Sequence, residues 1–324
     1  PSAGFYRFKA YNTNKYLQNY SRNNNFQLIA DNGVNSIMYL GADKTILSYG
    51  TGQYANDHTN PVAIGTEALS WSIVENNAVV GRYALDMANH GYLDIHDSWV
   101  ASSGNNNEGT AWEIEPVETL PFTFKKAGLG FATFNAPVPV ELPTGVLAYV
   151  AEVAENKTTL HMYRLVDNVI PANTPVMLYN EAAKAPEAEE STPIGLKIVG
   201  AYTGGEAGAI KTRNNFYGTI AAEAYPTDCD YTIYSLRKSA GKETVGFYQK
   251  ASGTTLGGFK SWIKITESNS TQALTIFFDG DDATGLKEAL GLENENVEIY
   301  DLSGRRLDKP TKGINVVDGK LVIK

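Results

Sequence analysis

GYLDIHDSWVASSGNNNEGTAWEIEPVE, residues 91–118, decides how the first third of this chain is read. GYLDI (91–95) is a short strand with alternating apolar positions, the stretch to residue 109 is a polar loop rich in Asn and Gly, and TAWEIEPVE (110–118) returns as an aromatic strand. The same order occurs twice upstream. KYLQ (15–18) precedes SIMYL (36–40), and TILS (45–48) precedes LSWSIVE (69–75). A segment of about 40 residues that cannot bury its apolar face alone, repeated three times, closes into a threefold unit.

The expected fold class is therefore all-β, beginning with a β-trefoil over residues 1–120. This region resembles the ricin-type β-trefoil family in length, in threefold pattern and in Trp71 and Trp112, which stand where that family places its repeat tryptophans. The family's Gln-x-Trp signature is replaced by LSW and TAW. The resemblance implies carbohydrate binding in the loops. Sugar sites join a carboxylate and an Asn, which hold vicinal hydroxyls, to an aromatic ring that stacks on the apolar sugar face. Asp94, His96, Asp97, Trp99 and Asn105 supply those groups within one loop, and Tyr16, Asn19, Tyr20 and Asn23 form a second candidate set in the first repeat. The alternative is that Trp99 packs beneath the fold and that the Asn, Asp and Gly residues are turn formers.

At VETLPFTFKKAGLGFATF (117–134) the pattern changes, and residues 121–280 carry alternating strands such as VLAYVAEV (146–153), TLHMYRLV (159–166), PVMLYN (175–180), YTIYSL (231–236) and VGFYQK (245–250). Two sheets packed as a sandwich are the expected solution. GFATFNAPVPVELPTGVLAYVAEV (130–153) and NVIPANTPVMLYNE (168–181) resemble a β-sandwich accessory module of secreted Bacteroidetes proteins, which has no assigned chemistry. EAAKAPEAEESTP (181–193) reads as a solvated acidic loop. Cys229, the one cysteine, lies in the strand-like run CDYTIYSL and is expected to be buried.

Residues 281–324 hold the one helical pattern, DATGLKEALGLENEN (282–296), followed by VEIYDLSGRRLDKPTKGINVVDGKLVIK (297–324). The latter predicts a strand, a turn at Ser303-Gly304 and a closing hairpin around Asp318-Gly319. Through IYDLSGRR and KGINVVDGK it resembles a truncated form of the C-terminal type IX sorting tail of secreted Bacteroidetes proteins, which implies export. The start at Pro1, with no initiator Met and no signal-like segment, suggests a trimmed chain or a fragment of something longer.

Motifs of chemistry are scarce. A net charge of −9 and a pI near 5.1 argue against a nucleic-acid surface, which needs clustered Lys and Arg. No run approaches the length of a membrane helix. The four histidines, His58, His90, His96 and His161, show no zinc spacing, and the serine-hydrolase elbow and phosphate loop are missing. DGDDATG (279–285) would need a carboxylate at Leu290 to act as an EF-hand loop. No enzyme activity, cofactor or metal is expected. The expected function is that of a non-catalytic carbohydrate-binding or adhesion portion of an exported bacterial protein, secreted or at the cell surface, whose partner is a glycan or a host or cell-surface glycoprotein. The alternative is a set of structural accessory modules belonging to a larger secreted glycoside hydrolase or peptidase, with the catalytic domain upstream.

Overall fold

The computed structural model describes residues 1–20, 25–55, 62–87, 90–184, 190–200, 202, 212–238, 245–266 and 273–278, with the strand residues 299–301, 306–307, 314–317 and 320–323. These residues are mostly β, and helix is confined to single turns. Twelve strands form the first sheet: β1 (Gly4–Ala10), β2 (Tyr16–Tyr20), β3 (Asn25–Ile29), β4 (Met38–Leu40), β5 (Ile46–Ser48), β6 (Tyr54–Ala55), β7 (Ile64–Gly65), β8 (Ser72–Glu75), β9 (Tyr83–Asp86), β10 (Tyr92–Ile95), β11 (Val100–Ser103) and β12 (Trp112–Pro116). β1 ties the ends together, pairing antiparallel with β12 from Tyr6↔Pro116 to Ala10↔Trp112 and with β4 from Gly4↔Leu40 to Tyr6↔Met38.

Each of the three segments contributes a hairpin: β2–β3, β6–β7 and β10–β11. The hairpins meet through backbone bonds from Phe26 N to Val62 O (3.2 Å), Leu28 N to Ser98 O (3.0 Å) and Val62 N to Val100 O (3.4 Å). Under them, Met38, Trp71 and Trp112 occupy corresponding places at the closing strands and share one core with Phe8, Leu17 and Leu93. An indole can be buried only if its N–H finds an acceptor. Trp112 Nε1 donates to Leu93 O at 3.0 Å and Trp71 Nε1 to Ala55 O at 3.4 Å.

The chain then builds layered sheets from β13 (Thr119–Lys125), β14 (Phe131–Phe134), β15 (Val140–Glu141), β16 (Val146–Val153), β17 (Thr159–Arg164), β18 (Val169–Ile170), β19 (Val176–Asn180), β20 (Ser191–Ile198), β21 (Phe216–Thr219), β22 (Glu223–Ala224), β23 (Tyr231–Lys238), β24 (Val245–Gln249), β25 (Thr255–Leu256), β26 (Lys260–Thr266) and β27 (Thr275–Phe278). One four-stranded sheet runs β13-β20-β15-β18, a five-stranded sheet β14-β19-β16-β17-β27, and a further four-stranded sheet β21-β26-β23-β24, with β22–β25 as a separate ribbon. The five-stranded sheet is the middle layer. Along β19, Val176 and Leu178 enter a core with Phe122, Phe124 and Leu196, while Met177 and Tyr179 enter another with Phe216, Tyr234 and Ile263. Successive strand residues face opposite sides, so β19 is buried at every position. The expected two-sheet sandwich thus gains a third layer.

The first sheet joins this stack without a linker. Phe5, Ile37, Leu47, Tyr49 and Val117 belong to the same core as Leu120, Phe122 and Phe259, so the expected boundary between residues 120 and 121 falls inside a shared core. Phe259 packs its ring 4.9 Å from Tyr49 and 5.9 Å from Phe5, and the Tyr49 hydroxyl donates to Pro121 O at 3.1 Å. At the seam two backbones touch. Ala222 N donates to Gly52 O at 2.6 Å, and a Cβ on Gly258 would stand 2.6 Å from the Gly52 Cα, so side chains are excluded on steric grounds.

At the C-terminus β28 (Ile299–Asp301), β29 (Arg306–Leu307), β30 (Ile314–Val317) and β31 (Lys320–Ile323) form a small sheet ordered β29-β28-β30-β31. The closing pair runs from Ile314↔Ile323 to Val317↔Lys320, in the register of a two-residue turn. The turn residues 303–304 and 318–319, the expected helix at 282–296, the acidic loop 279–285 and residues 185–189 of the acidic insert lie outside the described residues. Cys229 differs from expectation. It sits in the turn before β23, half-buried, with its thiol 3.5 Å from Pro226 O and 3.4 Å from Tyr231 O.

Candidate functional site

The β10–β11 hairpin projects the four residues 96–99 beyond its last strand pair, Ile95↔Val100. A turn of four residues leaves its side chains outside the ladder, and all four are exposed. His96 and Trp99 lie face to face across the turn, ring centroids 4.3 Å apart and planes 9° from parallel. Trp99 remains 36% exposed, so the reading in which it packs beneath the fold is set aside. Its backbone bridges Gln27 of β3, which anchors the turn to the neighbouring hairpin.

Asp94, on the face of β10 opposite to Leu93 and Ile95, supports this pair. Its Oδ2 lies 3.4 Å from His96 Nε2, and its Oδ1 accepts from Ile95 N at 3.1 Å. Gly109 makes room for it, since a Cβ there would come within 2.8 Å of Asp94 Oδ1. Asp97 turns the other way. Lys15, 82 residues away and just before β2, reaches its carboxylate at 2.7 Å and also donates to its carbonyl oxygen. The hydrogen bond and the charge of Lys15 hold the Asp97 carboxyl below its usual range. Lys15 was missed by sequence reasoning because nothing local links it to a loop so distant.

The Asn-rich loop serves mainly as scaffold. Asn107 accepts from Gly109 N at 2.9 Å and, with Thr110, forms a capping box, while Asn76 Nδ2 donates to Asn107 O at 2.7 Å and Asn106 Nδ2 to Glu75 O at 3.0 Å. Asn105 is exposed, but its backbone is tied to Ser103 and Thr110, not to the hairpin tip. In this part of the loop the turn-forming reading of the polar residues holds.

In the second candidate set, Asn19 does not reach the surface. Asn19 is fully buried, with Nδ2 donating to Thr51 Oγ1 at 2.8 Å and Oδ1 unpartnered among the described residues. Its place at an inward position of β2 corrects the expectation that it faces a ligand. Tyr16 is half-buried opposite Lys9 and Ile29. Tyr20 ends β2 opposite Asn25, and Asn23 lies outside the described residues. Among the described residues no cluster of three or more His, Cys, Asp or Glu could hold a metal ion, and no helix is long and apolar enough to cross a membrane.

No family model and no curated protein matches the sequence. Solved structures share distant likeness with it. A chain of a mosquitocidal holotoxin is similar over 84% of this chain at 11% identity, with a TM-score of 0.32. This chain spans only 45% of that one. Cry35Ab1 is similar over 82% of this chain and 88% of its own length, at 10% identity with a TM-score of 0.25.

Proposed function

We propose that this chain is a non-catalytic carbohydrate-binding or adhesion portion of an exported bacterial protein, with residues 1–120 forming a β-trefoil whose third hairpin is the binding face. The observation that carries the reading is the exposed His96–Trp99 stack with Asp94 behind it. A flat aromatic surface attracts the C–H face of a pyranose, and an adjacent carboxylate accepts from its hydroxyls. The glycan would be carried by a host or cell-surface glycoprotein or by a polysaccharide.

A second reading, in which the chain is the accessory portion of a larger secreted glycoside hydrolase or peptidase, draws support from the continuous core across the Gly52–Gly258 seam. A stiff spacer needs such a seam, whereas a flexible linker would leave the first sheet free. The test is a glycan array, covering mucin glycans and plant polysaccharides, probed with the full chain and with Trp99→Ala. Reproducible binding by the wild type, lost in the variant, supports the first reading. A clean negative overturns it in favour of the second.

A further inference from the structure

Edges of two sheets converge beside the N-terminal half of β26, an inner strand of a third. β13 and β14 are edge strands of their sheets. The ladder between β23 and β26 ends at Tyr234↔Ile263, after which β23 pairs with β24 and β26 with β21. The two strands splay, and a cleft of about 480 Å³ opens between Lys125 on β13, residues 235–238 on β23, and Lys260 and Trp262 on β26. That volume lies within the range of small-molecule sites, about 300–1,000 Å³.

The charge of this cleft is unlike that of the chain around it. Lys125, Arg237, Lys238 and Lys260 line it, and no carboxylate does among the described residues, although the chain carries a net charge of −9. Lys260 sits deepest, its ammonium 5.7 Å from the Phe122 ring centroid. Burial lowers its pKa, and the neighbouring charge of Lys125 lowers it further. Lys260 gives up hydration and faces the charge of the exposed Lys125, and an anion between the two offsets both the repulsion and the hydration that Lys260 has lost. Thr123, Thr133 and Ser235 add hydroxyl groups to the walls. Trp262 closes one wall, its N–H held by Thr219 Oγ1 at 3.1 Å, its ring packed on Tyr225, Ile233 and Leu256 with Lys250 Nζ 5.6 Å from the centroid.

We propose that this cleft is a binding site for an acidic sugar, with Lys125 and Lys260 on its sulfate or carboxylate group and the hydroxyl-bearing wall of Thr123, Thr133 and Ser235 toward its own hydroxyls. The site lies apart from the β10–β11 hairpin and does not depend on it.

Calorimetry on the full chain at about 0.15 M salt tests the assignment, since weak surface attraction is largely screened there. The probes are sulfated N-acetylglucosamine, glucuronate, N-acetylglucosamine and inorganic sulfate. Binding of at least one acidic sugar is expected, together with a loss of about tenfold or more in Lys125→Gln and in Lys260→Gln. The difference between the two acidic sugars tells sulfate from carboxylate recognition. Lys125 is exposed, so its variant keeps the test valid if Lys260→Gln fails to fold. Trp99→Ala should bind the acidic sugar as the wild type does, which separates failure here from failure at the hairpin. Silence with both acidic sugars, equal binding of neutral N-acetylglucosamine, or unchanged affinity in Lys125→Gln would overturn the proposal. Inorganic sulfate binding as tightly as the sulfated sugar would overturn the assignment to a sugar.

Discussion

The middle sheet of the stack and the tip of the β10–β11 hairpin are opposite solutions to placing side chains on a strand framework. In β19 every side chain is committed, Val176 and Leu178 to one core and Met177 and Tyr179 to the other. At the hairpin tip His96, Asp97, Ser98 and Trp99 are all exposed, and the side-chain contacts of His96, Asp97 and Trp99 are with one another, with Asp94 and with a single distant lysine. Substitutions in the first region should therefore be read in stability, and substitutions in the second in binding.

The largest effect should come from Leu178→Ala. Removing a fully buried side chain from the core shared with the first sheet should cost about 2–5 kcal/mol, measured by denaturant unfolding. A loss below about 1 kcal/mol would mean that the site collapses around the missing group, so that the middle layer is less tightly packed than described. Gly258→Ala probes where the two halves meet. A methyl group pressed onto Gly52 Cα and Ile220 O, each 2.6 Å from the new Cβ, should cost about 1–3 kcal/mol of overpacking. Unchanged unfolding would sink the seam as a rigid contact, and with it the support for a stiff spacer.

The two regions also differed in how far the sequence revealed them. The strands around VMLYN and VLAYVAEV were legible from their apolar runs, but the number of layers was not. An unbroken apolar run fits a strand covered on both faces, yet nothing in Met177 or Tyr179 says which sheet will cover it. The Gly52–Gly258 contact had no signal, because a glycine chosen for a close approach 206 residues away looks like any turn glycine. At the hairpin, Asp94, His96 and Trp99 were legible because neighbours in sequence stay neighbours across a short turn. Asn19 was misread because alternation fixes which residues share a face and leaves open which face is inward. The cleft cations were hidden for a related reason: Lys125, Arg237 and Lys260 come from three strands of two sheets.

Trp99→Ala sharpens the comparison from the exposed side. With the indole 36% exposed, the variant should keep its stability to within about 1 kcal/mol while glycan affinity falls about tenfold or more. Melting temperature and array binding, measured on one preparation, give both numbers. Loss of stability without any change in binding would place Trp99 among the core residues and remove the contrast.

The smallest effect belongs to Lys15 and Asp97. Lys15 lowers the Asp97 carboxyl, first by hydrogen bonding and then by its charge. A carboxyl whose pKa is depressed by folding stabilises the folded state above its unfolded value, and that contribution disappears as pH falls through the depressed folded value. At neutral pH, Asp97→Asn should therefore melt slightly below the wild type, and the gap should close on acidification past the ordinary aspartate value of about 3.9. Salt should narrow the same gap at neutral pH, because the Asp97 side chain is 96% exposed and the pair is screened. Melting curves of the two proteins across pH and salt decide it. A gap that persists at low pH would mean that Asp97 acts through the geometry of the turn, in which case the hairpin tip is organised by packing after all and differs less from the middle sheet than its exposure suggests.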